Sequence, residues 1–191
     1  MISDNDVIEA LTPLIRVLEK LNIAYYVSGS IASSIYGAFR ATKDIDMVFH
    51  LTPKHVDSLV HALKSEYYID KDMILDALQR QSSFNIIHLK TMFKIDVFLL
   101  KQRSYDQEAF QRKRKDQLSE KMETTIFLAS PEDIILSKLE WYKTGNFVSE
   151  RQWQDVLSVL KIQKDHLDMT YLKKWAQHLD ILDLLEKALM E

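Results

Sequence analysis

Residues 28–49, Ser28-Gly29-Ser30-Ile31-Ala32-Ser33-Ser34-Ile35-Tyr36-Gly37-Ala38-Phe39-Arg40-Ala41-Thr42-Lys43-Asp44-Ile45-Asp46-Met47-Val48-Phe49, decide the reading of this chain. A short β-type run, Ile23 to Val27, leads into Gly29-Ser30, and a helix of small residues follows to about Ala38. Glycine lets the backbone approach a ligand where a strand turns into a helix. The helix start then offers N–H groups and a partial positive charge, and Ser30 adds a hydroxyl, which together make a phosphate cradle. Gly-Ser alone fits a plain strand–helix turn equally well. The run Asp44–Phe49 alternates polar with apolar residues, a strand pattern that puts Asp44 and Asp46 on one face. Two carboxylates so close repel unless a cation lies between them, and Mg²⁺ suits one or two carboxylates plus phosphate oxygens. An Asp-x-Asp triplet is also common at a solvated strand end, so its context matters.

That context comes from Phe93-Lys94-Ile95-Asp96-Val97-Phe98-Leu99, an apolar strand carrying an acid that is expensive to bury alone. Asp96 is either an edge-strand residue facing water or a third carboxylate beside Asp44 and Asp46. Three acids on neighbouring strands would bridge two ions for an in-line displacement at phosphorus.

Around these strands the spacing predicts helices. Ser3 caps the first, whose stripe is Val7, Leu11, Leu14, Leu18 and Leu21, and Asn22 ends it. Thr52-Pro53 starts another, and a short one runs near Asp72–Gln79. Phe84–Leu89 and Met92–Leu100 read as a hairpin turning at Lys90-Thr91. From Ser130-Pro131-Glu132-Asp133 onward the pattern is wholly helical, broken at Lys143–Asn146 and restarted at Ser149, with two closing helices. The expected fold is therefore α+β: a mixed-sheet domain over 1–105, a charged linker or exposed hairpin over 106–128, and a helical bundle over 129–191.

The order strand, Gly29-Ser30, helix, Tyr36-Gly37, Arg40-x-Thr42, Asp44-x-Asp46 and then Asp96 resembles the nucleotidyltransferase superfamily with the DNA polymerase β palm fold. Within it the chain looks nearest to the AbiEii-type branch, the toxin components of type IV toxin–antitoxin pairs. The resemblance implies phosphate binding at Gly29 and Ser30, and metal binding at Asp44, Asp46 and Asp96, with two Mg²⁺ ions expected. It implies that Asp96 helps to activate the attacking hydroxyl, and that Arg40 and Thr42 steady the loop beside the nucleotide. Arg40 reads equally well as a surface charge. In that branch a lysine on the helix after the palm and an Arg-x-x-x-Asp pair on the next helix complete the site, which here match Lys138, Arg151 and Asp155. Arg151 and Asp155 share a helix face at four-residue spacing and could simply pair with each other, and Lys138 could snorkel to water.

The implied activity is transfer of a nucleotide monophosphate from a nucleoside triphosphate to a hydroxyl on RNA, protein or a small molecule, with an antitoxin protein as the partner in the toxin branch. An antibiotic-modifying enzyme and an inert binding protein on the same fold are the alternatives. Composition narrows the field. The 191 residues contain no cysteine, which excludes disulfides, thiolate zinc sites and thiol catalysis and suits a reducing cytoplasm. A polar start and the lack of a long apolar run argue against a signal peptide or membrane span. A net charge of −3 leaves room only for local nucleic-acid contact. Arg112-Lys113-Arg114-Lys115 is the dense basic cluster, a solvated face by default and an RNA handle otherwise. The six histidines show no zinc pairing. Trp141 and Tyr142 read as core residues, with base stacking as the alternative.

Overall fold

The computed structural model describes residues 4–39, 42, 44–116 and 125–191. Ser3, Arg40, Lys43 and residues 117–124 lie outside the described residues. The chain runs α1 (Asp4–Lys20), β1 (Tyr25–Val27), α2 (Gly29–Tyr36), β2 (Asp44–Phe49), α3 (Pro53–Leu63), β3 (Tyr67–Tyr68), α4 (Lys71–Arg80), β4 (Ser83–His88) and β5 (Lys94–Leu99). Then come α5 (Ser104–Gln111), β6 (Arg114–Asp116), β7 (Ile126–Leu128), α6 (Pro131–Thr144), α7 (Glu150–Gln163), a 3₁₀ turn at Lys164–His166, α8 (Met169–His178) and α9 (Leu182–Met190).

The strands form one mixed sheet in the order β3-β4-β5-β2-β1-β7-β6. At its centre β2 pairs in parallel with β5 and antiparallel with β1. The period-two alternation of β2 and β5 buries Ile45, Met47, Phe49, Ile95, Val97 and Leu99 on one face. Asp44, Asp46, Lys94 and Asp96 therefore share the other. The hairpin β4–β5 forms as expected, but its connection is longer than a tight turn, with Met92 in the left-handed region at φ +57° and Thr91 Oγ1 2.8 Å from His88 Nδ1.

Stretch 106–128 takes a larger part than a linker. It completes α5 and supplies β6 and β7, which pair antiparallel as the hairpin alternative has it, but Ile126 and Leu128 of β7 are fully buried rather than exposed. β7 adds to β1 in parallel, with Leu128 opposite Val27. Three residues are too few for hydrophobic alternation to declare a strand, which is why β7 is silent in the sequence. The helical half in turn packs on the sheet domain. α2 lies against both α6 and α7, and Ser158 Oγ on α7 accepts a hydrogen bond from the Ala38 N–H at 2.6 Å. Gly37 permits that approach, since a Cβ there would lie 2.8 Å from Ser158 Oγ. Apolar side chains of sheet and bundle form one continuous core.

The basic cluster divides: Arg112 and Lys113 are half-buried, while Arg114 and Lys115 stay exposed. Arg112 and Arg114 each place a guanidinium near Glu132 Oε2, at 3.2 and 3.6 Å, and Glu132 is 1% exposed. Lys113 lies over the Phe110 ring at 4.2 Å. The acids at the start of α6 are thus the anchors of this cluster, a pairing across elements that local sequence does not reveal.

Candidate active site

Gly29 opens α2 with φ +58°, in the left-handed region that glycine adopts without strain. Any Cβ at this position would stand 1.8 Å from Asp46 Oδ2, so the glycine is also required by the closeness of the acid. The Ser30 backbone N–H donates to the Asp46 carboxylate, and the Ser28 N–H donates to the Asp46 carbonyl at 2.8 Å. The helix start and the second acid of the triplet are therefore one unit. Burial first, and then the charges of Asp96 and Asp44, push the Asp46 carboxyl above its ordinary pKa; Lys138 and the Ser30 N–H pull the other way. Negative charge in surplus is what this geometry concentrates.

Asp96 stands opposite Asp46 in register, and Lys94 opposite Asp44. Each acid has its own local company. Thr42 Oγ1 donates to the Asp44 carbonyl at 3.1 Å and to its carboxylate at 3.3 Å. Lys94 Nζ lies 2.7 Å from Asp96 Oδ2. The hydrogen bond to Asp96 is the largest influence raising the Lys94 pKa, and the charges of Asp44 and Asp46 add to it. Among the described residues no three carboxylate or imidazole groups converge as a closed metal cage. The three acids expected as ligands share one face of the sheet, and each has a nearby donor: the Ser30 N–H for Asp46, Thr42 for Asp44 and Lys94 for Asp96. An open set of this kind fits Mg²⁺ in its usual role, one or two carboxylates completed by phosphate oxygens and water.

A cleft of about 330 Å³ opens beside Asp46, lined by Gly29, Ser30 and Lys138 at one end and by Arg103, Glu140 and Trp141 at the other. Its floor is the in-register row Tyr26, Val48 and Phe98 across β1, β2 and β5. Lys138 on α6 is 3% exposed and donates to Asp155 Oδ2 at 2.7 Å and Gln152 Oε1 at 3.0 Å. It does not snorkel. Asp155 consequently pairs with Lys138 rather than Arg151, which is exposed on α7 and does not line the cleft. The structure thus gathers Gly29, Ser30, Asp46 and Lys138 at the cleft, with Asp44, Asp96 and Thr42 beside it, and leaves Arg151 on the surface. Arg40 lies outside the described residues.

Sequence reasoning missed the far wall. Arg103, just before α5, donates to both Asp106 and Glu140, in each case through two nitrogens. These hydrogen bonds raise its pKa, Asp106 contributing most. Trp141 is 56% exposed and meets the Phe98 ring edge-on at 6.1 Å, so the expectation of a core role fails for it. It holds for Tyr142, which packs on Trp153 at 5.2 Å. The four-residue separation of Arg103 from the end of β5 was the available signal, since loops at strand ends carry function.

No family profile matches the chain, and no curated protein matches it in sequence. Solved structures do. The antibiotic-resistance factor ANT(2'')-Ia superposes with a TM-score of 0.56 at 13% identity, covering 97% of this chain and 94% of that one. A nucleotidyltransferase-like antigenic protein from Paracoccidioides brasiliensis gives 0.53 at 15% identity, with 95% and 91% covered. The lincomycin-bound lincosamide adenylyltransferase LnuA gives 0.51 at 13%, with 81% and 96% covered. The fold of this chain is nucleotidyltransferase-like, as in these proteins.

Proposed function

We propose that the protein is a Mg²⁺-dependent nucleotidyltransferase that moves a nucleotide monophosphate from a nucleoside triphosphate to an acceptor hydroxyl. The observation that carries this reading is the fit of the α2 start onto Asp46, which sets a phosphate-binding turn directly against an acid with two more acids beside it. The acceptor oxygen forms a bond to the α-phosphorus while the bond from that phosphorus to the β-phosphate oxygen breaks. Pyrophosphate leaves with the electron pair, and the hydroxyl proton passes to the Asp96 carboxylate. The first turn of α2 holds phosphate oxygens, and Lys138 faces the charge that builds on them. Asp46, with Asp44 and Asp96, would hold Mg²⁺, which would supply charge neutralisation and orientation.

Two acceptor classes remain within this reading. The residue order that resembles the AbiEii-type branch favours RNA or protein, with the chain as a toxin held by an antitoxin protein. The near full-length likeness to ANT(2'')-Ia, whose name marks it as an antibiotic-resistance factor, favours a small molecule. Incubation with each α-labelled triphosphate, Mg²⁺ and separate RNA, protein and metabolite fractions tests both. Label in one fraction names the acceptor. No pyrophosphate release and no label with any triphosphate would leave a binding protein on this fold.

A further inference from the structure

Lys94 is absent from every role assigned so far, yet within β2 and β5 it is the cation on the acid face. A strand needs no lysine at this position: alternation requires only a residue that tolerates the half-buried face. Its register partner across β2 is Asp44, its neighbour two residues on is Asp96, and Asp46 stands opposite Asp96. Lys94 therefore sits at one corner of a rectangle whose other corners are the three carboxylates. On the far side of β5 the register partner of Asp96 is Asn85, which brings no charge. The Lys94 side chain is 44% exposed, against 25% for Asp96, so its stem is not locked by packing.

We propose that Lys94 is a built-in counter-ion of the metal centre, which occupies Asp96 until a divalent cation displaces it. The inference rests on the metal-dependent reading above. An ammonium hydrogen-bonded to Asp96 offsets one of the three carboxylates and keeps it from both metal and acceptor. Displacement frees Asp96 to take the hydroxyl proton. Lys94 is then a positioning residue that sets the concentration of free Mg²⁺ at which transfer begins. An ion pair at such exposure contributes little to stability, so Lys94 is not required for folding.

The test is binding of Mn²⁺ to the nucleotide-free protein, read by the paramagnetic resonance of free Mn²⁺, for wild type, Lys94→Met, Lys94→Arg and Asp46→Asn. Removal of one positive charge within a few ångströms of the site should tighten Mn²⁺ about fivefold or more in Lys94→Met. Lys94→Arg keeps the charge and should stay near wild type. The Mg²⁺ concentration for half-maximal transfer should fall in parallel. Equal Mn²⁺ affinity in wild type and Lys94→Met, with both folded by their melting curves, overturns the proposal and spares the metal reading. Failure of wild type to bind Mn²⁺ more tightly than Asp46→Asn overturns both.

Discussion

Asp46 on β2 and Asp96 on β5 are register partners in a parallel pair, but an ammonium stands 2.7 Å from one while the other rests against a helix start. Asp46 has a folded pKa above its ordinary value, so the folded chain binds that proton more strongly than the unfolded chain. Its contribution favours folding at acid pH and is lost as pH rises through the raised pKa. Asp46→Asn should therefore abolish transfer and yet raise the melting temperature at pH 7 by about 2 °C or more. The gain should shrink as the pH is lowered toward the acid range. Melting curves of both proteins between neutral and acid pH decide it.

Gly29→Ala introduces a carbon where Asp46 Oδ2 already lies, at a backbone angle unfavourable to any L side chain. The left-handed conformation alone costs about 1–2 kcal/mol. The expected outcome is a lower melting temperature and no further rise on adding ATP with Mg²⁺, whereas wild type gains stability by mass action. A normal ligand-induced shift in Gly29→Ala would show that the turn does not hold phosphate.

Lys138 and Arg151 should separate. Loss of the buried Lys138 removes its 2.7 Å ion pair to Asp155, whose side chain is 11% exposed, and its hydrogen bond to Gln152. Breaking a buried pair from one side costs roughly 3–5 kcal/mol. Lys138→Met should therefore lose both transfer and much stability. Arg151→Ala should leave the melting temperature within about 1–2 °C, as exposed substitutions do. Transfer assays and melts on both variants check the pair, and a stability loss in Arg151→Ala equal to that of Lys138→Met would contradict it.

Trp141→Ala removes an exposed ring from the cleft wall, so stability should change little. The KM for triphosphate or acceptor should rise about tenfold, in keeping with about 1–3 kcal/mol for stacking on an aromatic side chain. Steady-state kinetics with each substrate varied in turn will show which of the two the tryptophan meets.

Glu132→Gln tests the anchor under the basic cluster. Burial pushes the Glu132 carboxyl up, but the Asp168 and Glu132 N–H groups, Ser130 and Arg114 more than offset it, and its pKa is lowered. Its stabilisation is thus present above the ordinary value of 4.5 and lost as pH falls through the lowered pKa. Glu132→Gln should destabilise by on the order of 3 kcal/mol at pH 7. The difference from wild type should narrow below pH 4.5, as thermal melts across that range would show.

What could be read in the sequence was local. Alternation placed Asp44 and Asp46 on one face, and Thr52-Pro53 and Ser130-Pro131 opened α3 and α6 where the caps predict. β3 and β7, with two and three residues, are too short to carry a period. Partnerships between distant elements were equally silent. Spacing offered Asp155 to Arg151, but α6 packs on α7 and brings a buried lysine closer. The role of Lys94 was hidden for the same reason, since only the parallel register of β5 with β2 sets it among the acids.

The pairing of Val27 with Leu128 also bears on how the protein comes into being. While the chain is being synthesised, β1 has β2 on one side and an open edge on the other until residues 126–128 have emerged. The floor strand of the cleft stays unpaired along that edge through the making of most of the molecule, and an unpaired edge invites association with other nascent chains. Closing it requires a contact of long sequence separation, a slow step in folding. A nascent chain stalled before Ile126 would therefore hold Gly29, Asp46 and Asp96 and still lack a closed sheet to present them.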